Sequence, residues 1–315
     1  MGRYVIRRLL QLIPVFIGTT FIIFAGVFML PGDPIRALFG DRPPPASLVL
    51  TLQERYNLND PLAVQYFKYM GKVFTGDFGT NFRGRAVLEI IQEAAPITIK
   101  LGLTAFVIEI AIGILAGIMA GLRRGWFFDN LVLISTTLVI SVPVFVLGFV
   151  TQLTLGGEVG WLGGARIFPI SFDADIGWPV SYLLPAMVLA SLSLATLARL
   201  TRTSLVENLR ADYVRTAIAK GLPRRTVVGK HTLRNSLIPV ITLLGIDVGS
   251  LMGGAIVTEG IFNIPGIGRS IFKGIQAQEN TVVVGISTLL VLLFIVANLL
   301  VDLLYGVLDP RIRYE

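Results

Sequence analysis

The residues able to do chemistry are few and far apart. His231 is the one histidine and there is no cysteine, which removes thiol and Fe–S chemistry, disulfides, multi-histidine metal sites and an H-E-x-x-H protease motif. A phosphate-cradling loop needs G-x-x-x-x-G-K-[ST]. The two Gly-Lys pairs, Gly71-Lys72 and Gly229-Lys230, lack a glycine five residues earlier and are followed by Val73 and His231. No G-x-S-x-G nucleophile turn is present. His231 lies in a basic stretch and reads as a structural or docking contact. The chemistry on offer is therefore not that of an enzyme, and no residue set suggests a metal or a resident cofactor. What remains is a pair of isolated acids, Glu109 and Asp247, each inside a long apolar run, and one dense basic segment.

The apolar runs set the class. The chain is 54% hydrophobic and only 15% charged, with a mean hydropathy of +0.75, against roughly 25% charged residues in soluble domains. A crossing helix needs about 20 mostly apolar residues. Six windows qualify: 9–30, 97–121, 131–155, 178–198, 236–257 and 282–304. The fold class expected is an all-α integral membrane protein of six transmembrane helices. Arg3, Arg7 and Arg8 precede a 22-residue apolar run, longer than a signal-peptide core of about 7–15, so the first window reads as an uncleaved span. Glu109 and Asp247 fall near the bilayer midplane, where a carboxylate is costly unless it meets a cavity or a partner.

Basic residues orient the spans. With the N-terminus inside, the inner pieces (1–8, 122–130, 199–235, 306–315) hold 16 Lys/Arg in 64 residues, whereas the outer pieces hold 10 in 112. Both termini are expected to be cytoplasmic. The net charge of +7 and pI near 9.9 then belong to inner loops and anionic lipid rather than to nucleic acid. The outer segment 31–96 is balanced, with seven basic and seven acidic residues; "LQERYNL" and "VQYFKYMGKVF" read as short helices of a folded cap.

Nine basic residues lie between Arg199 and Arg234. Within that segment Asp212 can cap a helix, and Gly221 with Pro223 is a stop signal. Tyr213–Lys220 should form about two turns, roughly 12 Å long, with Val214, Ala217 and Ile218 on one face and Arg215 off it. So short a helix is marginal alone and needs something packed against it, to which small Ala217 and Ala219 would allow close approach. Two readings stay open on physical grounds: an amphipathic helix on the inner leaflet, or a shaped docking knob.

At this point the wording of the sequence becomes informative. "DYVRTAIAKGLPRRTVVGKHTLRNSLIPVI" resembles the cytoplasmic loop of binding-protein-dependent ABC importer permeases of the dipeptide/oligopeptide branch. "LPGDP", "DPLAVQYFKYMGKVFTGDFGTNF", "EGIFNIPGIGRSIF" and "NLLVDLLYGVLDPRIRY" resemble the same family, so the likeness covers nearly the whole chain. Arg215 and Thr216 depart from the generic Glu-Ala of that loop, and Arg234 stands at a superfamily proline; Ala217 and Gly221 match.

The resemblance implies a type-1 ABC importer permease fold, the first of two permease subunits, in a bacterial plasma membrane. Residues 1–96 would be the first span and its outer segment, 97–305 the importer transmembrane domain with coupling loop 199–235, and 306–315 a cytoplasmic tail. Asp212, Tyr213, Val214, Arg215, Ala217, Ile218, Ala219, Lys220 and Gly221 would form the coupling helix that docks in an ATPase subunit. A second permease, two ATPases and an extracytoplasmic binding protein are the implied partners, with ATP and Mg2+ held by the ATPases. Glu109 and Asp247 would line the path for a peptide, or would instead bond between helices. Phe262, Pro265 and Gly266 would form an outer gate, or a plain surface turn. Peptide is the substrate implied, with nickel chelates or glutathione as alternatives; a stand-alone proton-coupled transporter, or a non-transporting membrane scaffold, is the rival reading from another class.

Overall fold

The computed structural model describes residues 2–29, 49–50, 59–156, 168–169 and 171–308. Among them the chain is helical, with two isolated β-bridges and no strand. The "LPGDP" and "LQERYNL" stretches and most of the C-terminal tail lie outside the described residues.

Helix α1, Gly2–Phe28, and the short α2, Leu62–Phe74, occupy the expected places. Helix α3, Val87–Ile108, continues through a π-helical turn, Glu109–Gly113, into α4, Ile114–Leu122. These 36 continuous residues begin ten residues before the expected span. Residues 87–96 are helix rather than outer loop because Glu89 suits the positive N-terminal end of the dipole and Glu89 and Glu93 both pair with Arg85.

The third apolar window is not one straight helix. It forms α5, Phe127–Ser141, and α6, Val144–Leu155, bent by 110°. Pro143 causes the break: it disfavours α geometry in the residue before it, and Val142 is extended, with φ −103° and ψ 128°. Helix α7, Val180–Asn208, has 29 residues, about 44 Å at 1.5 Å each. It outruns the roughly 30 Å hydrocarbon core and passes the expected end at Ala198. Helix α8 is Asp212–Ala219, followed by short helical pieces from Arg224 to Ser236. Helix α9, Ile238–Ile261, bends by 51° between Leu251 and Ala255; α10, Ile267–Gln276, and α11, Asn280–Leu308, complete the chain. Among the described residues, four helices are long and apolar enough to cross a membrane, or up to six if each bent pair is one span.

The chain divides into two compact units, Met1–Thr98 with Pro265–Glu315, and Ile99–Ile264. In the first, Phe24, Tyr66, Met70 and Val284 form the core, and the Tyr69 hydroxyl donates to Thr288 Oγ1 at 2.9 Å. In the second, α7 is the hub, packed by α4, α5, α6 and α9. Leu197, Val240 and Leu244 join α7 to α9.

Close approach of α4 to α7 rests on glycines four residues apart. A Cβ on Gly117 would stand 2.5 Å from Thr201 Cβ and 2.6 Å from the Ala198 carbonyl oxygen; on Gly113 and Gly121 it would meet Leu197 and Leu205 at 3.0 Å. Small residues at this spacing let membrane helices pack by direct van der Waals contact, since lipid offers them no hydrophobic drive to associate.

Candidate functional site

The basic segment folds on itself before it meets anything else. Ala211, not Asp212, is the N-cap of α8, and no side chain caps the helix. Asp212 stands one residue inside, where its charge favours the N-terminal end of the dipole and Arg215 Nη1 approaches it at 3.4 Å. The C-terminus closes as a Schellman motif: the Gly221 N–H donates to the Ile218 carbonyl at 2.9 Å and the Leu222 N–H to the Ala217 carbonyl at 3.3 Å. Gly221 has φ +74°, the left-handed conformation that glycine adopts without cost.

The packing partner that so short a helix requires is Val227, in the π-helical piece that follows. Val214 and Ala217 are buried against it. This corrects the expectation that Ala217 offers a small face to another protein, and it separates Ile218 from Val214 and Ala217. Ile218 is 61% exposed, and Tyr213 and Leu222 are also exposed, as are Ala219 and Lys220. Tyr213 donates to Asn208 Oδ1 at 2.5 Å, tying α8 to the end of α7. Ser236 Oγ donates to the Ser204 carbonyl at 3.4 Å, so the far end of the segment returns to the same helix. The result is a knob whose exposed surface carries Tyr213, Ile218 and Leu222.

The two intramembrane acids come together. Glu109, in the π-helical turn, is fully buried, and Asp247, in α9, is 8% exposed. Their carboxyl groups lie close enough to interact. Ser250 donates to Asp247 Oδ1, while both Glu109 oxygens and Asp247 Oδ2 are buried and receive no donor from the described residues. Carboxylates only accept hydrogen bonds, so neighbouring acids of this kind are receptive to a donor or a cation. The π-helical turn that carries Glu109 is a form found mostly as single-turn bulges at functional sites.

The three loop residues are not alike. Phe262 caps α9, is fully buried, and accepts the Phe172 N–H on its carbonyl at 2.9 Å. Pro265 is exposed and Gly266 buried, the latter as N-cap of α10.

One constellation escaped the sequence reading. Asp129, at the start of α5, receives Arg202 Nε at 2.5 Å and Nη2 at 2.8 Å, and the Gly125 N–H at 2.7 Å. Neither residue stood out, because each lies at the edge of an apolar window where a single charge is ordinary. The glycine ladder "GILAGIMAG" also went unread, although its small-xxx-small spacing is a signal that could have found it.

Residues 113–314 match the family described as binding-protein-dependent transport system inner membrane component, and residues 1–102 match its N-terminal counterpart. With 100% of both chains covered, the sequence is 39% identical to the dipeptide transport system permease protein DppB of Alkalihalophilus pseudofirmus. Over the same full coverage it is 36% identical to the di/tripeptide transport system permease protein DppB of Pseudomonas aeruginosa and to the dipeptide transport system permease protein DppB of Escherichia coli K12. Full-length likeness of this order, on a fold built of long apolar helices, makes the chain a multi-pass membrane protein of the binding-protein-dependent transport system inner membrane component family.

Proposed function

We propose that the chain is the membrane-spanning permease subunit of an ATP-driven importer that carries di- or oligopeptides across a bacterial plasma membrane. The carrying observation is α8: a short helix, held by its own loop and hung beneath the long α7, whose Ile218 and Leu222 are exposed among the described residues. In this reading α8 docks in a separate ATPase, since the sequence contains no phosphate-binding loop of its own. A second permease and an extracytoplasmic binding protein complete the assembly.

Packing supports six spans. Asp129 at the start of α5 pairs with Arg202, while Gly148 of α6 lies against Val188 and Ile261. Arg202 and Val188 are fourteen residues apart on α7, about 21 Å of helix rise. The bent pair thus advances most of the way across the core instead of returning to its starting side. With six crossings and the basic residues inside, both termini and α8 are cytoplasmic.

A push on α8 is transmitted without slack, because Tyr213–Asn208 and Ser236–Ser204 tie the segment to α7 at both ends. Glu109 and Asp247 then supply the path with a cation-receptive point suited to a peptide's ammonium group. The segment around Phe262, Pro265 and Gly266 is the outer gate, with Phe262 in its buried position.

The test is affinity capture of the full chain from native membranes, then uptake of labelled dipeptide in vesicles made from the captured complex. Co-capture of an ATPase and a second permease, with ATP-dependent uptake, is expected. Uptake by the chain alone under a proton gradient would overturn the reading in favour of a secondary transporter.

A further inference from the structure

A cavity of about 200 Å3 lies in the first unit, with Phe24 and Phe28 of α1, Lys68 and Lys72 of α2, and Asp77 in its wall. The apolar span of α1 ends at Phe28 and that of α11 begins at Asn280. Because Thr281 and Val284 of α11 also line it, the cavity sits at the ends of two spans, level with lipid headgroups. Its wall is aromatic on one side, where the Phe24 and Phe28 rings stack 4.4 Å apart, and ionic on the other.

The charges are arranged for a ligand carrying both signs. Lys68 is already paired with Asp60 at 2.5 Å. Lys72 makes no ion pair among the described residues. Asp77 uses Oδ1 to accept the Gly79 N–H at 2.8 Å and does not pair with Lys72, although both face the same cavity. Two opposite charges that line one cavity without pairing with each other are complementary to a zwitterion. The size narrows the class: about 200 Å3 is below the roughly 300–1,000 Å3 of pockets for drug-sized ligands. A phosphoethanolamine headgroup is of that scale.

We propose that this cavity binds the headgroup of an aminophospholipid such as phosphatidylethanolamine, with the phosphate on Lys72 and the primary ammonium on Asp77. Lysine serves as a point-charge phosphate binder. A primary ammonium donates hydrogen bonds to the Asp77 carboxylate; a choline headgroup has no N–H to donate, and a glycerol headgroup has no cation. The lipid then fastens α2 to the ends of α1 and α11, independently of which solute is carried.

The test is native mass spectrometry of the full-length protein purified from vesicles containing equal parts of phosphatidylethanolamine, phosphatidylcholine and phosphatidylglycerol. Retention of the ethanolamine lipid with about a tenfold preference is expected. Lys72→Ala and Asp77→Asn should each abolish that preference, whereas Lys273→Ala on α10 should leave it intact. Asn at 77 can still accept the Gly79 N–H, so the local turn persists. Equal retention of the three lipids, or an unchanged preference in both cavity variants, would overturn the proposal. So would binding of soluble glycerophosphoethanolamine with no lipid retained.

Discussion

Arg202 holds Asp129 by two parallel hydrogen bonds across 73 residues of sequence, and the Asp129 side chain is only 2% exposed. A forked guanidinium matches a carboxylate in a way an ammonium does not. Removing one partner of a buried pair leaves an uncompensated charge, at a cost of about 3–5 kcal/mol. Asp129→Ala should therefore lower the thermal unfolding temperature of the detergent-purified chain by several degrees, with Arg202→Lys intermediate. The double variant Asp129→Leu, Arg202→Leu should recover most of the loss, because no charge is stranded. A double variant as unstable as Asp129→Ala would mean that the bond geometry, not charge burial, holds α5 to α7.

Gly117 and Gly102 predict opposite outcomes for the same substitution. At Gly117 a new methyl group meets the Ala198 carbonyl oxygen at 2.6 Å, and backbone cannot yield; at Gly102 nothing lies within 4 Å. Gly117→Ala should separate α4 from α7 and reduce both stability and transport. Gly102→Ala should be neutral or stabilising by roughly 0.5–1 kcal/mol, the usual gain of replacing a helical glycine. Thermal melts of the two variants side by side decide the matter; a neutral Gly117→Ala would mean that the helices can slide apart.

The contrast between these sites and the six apolar windows explains how much the sequence disclosed. The windows were legible because membrane burial demands long uninterrupted runs, and each of the six contains helix in the structure. The 110° bend at Pro143 was foreseeable from proline alone but hidden by hydropathy, which ignores the backbone. Glu109 and Asp247 each stood out as an intramembrane charge, yet their meeting depends on how α9 and the π-helical turn both lie against α7, which spacing does not encode. For α8 the stop at Gly221 was correct, whereas its packing partner, Val227, could be found only from the fold of the following loop.

Glu109 and Asp247 give a test of the transport path. Glu109→Gln supplies a donor amide in place of a carboxyl and keeps the shape, so the pair can bond to itself without a cation. If the pair serves the substrate, Glu109→Gln and Asp247→Asn should each cut dipeptide uptake at least tenfold while leaving expression and partner capture unchanged. Loss of partner capture with normal uptake per assembled complex would instead place the pair in packing.

Tyr69, in α2 outside the candidate spans, has its phenol pushed up to about 12 by burial. An unfolded tyrosine ionises near 10. The folded state therefore keeps a proton that the unfolded state loses, so the associated stability is fully present below pH 10 and declines as pH rises from 10 through 12. For a shift of this size the contribution at stake is at most about 3 kcal/mol. Tyr69→Phe forfeits the bond to Thr288 at every pH but should show a shallower decline between pH 10 and 12. Parallel unfolding curves for the two proteins across that window would show that Tyr69 does not govern the alkaline limit.

Gly221 and Ile218 separate the shape of α8 from its contacts. A Cβ at Gly221 would meet no atom within 4 Å, so any penalty comes from φ +74°, which a β-branched residue reaches only with strain. Gly221→Val should disorder the Schellman closure and release the Ala217 carbonyl, loosening α8 within an otherwise intact protein. Ile218→Asp leaves the helix in place, since the side chain is 61% exposed, but puts a charge on its outer apolar face. Both variants should reach the membrane at normal levels and lose ATP-dependent uptake. They should differ in ATPase capture: Ile218→Asp should lose it outright, whereas Gly221→Val should keep weakened capture with hydrolysis no longer linked to transport. Normal uptake in the Ile218→Asp variant would remove α8 from the docking surface and return the segment to the lipid face.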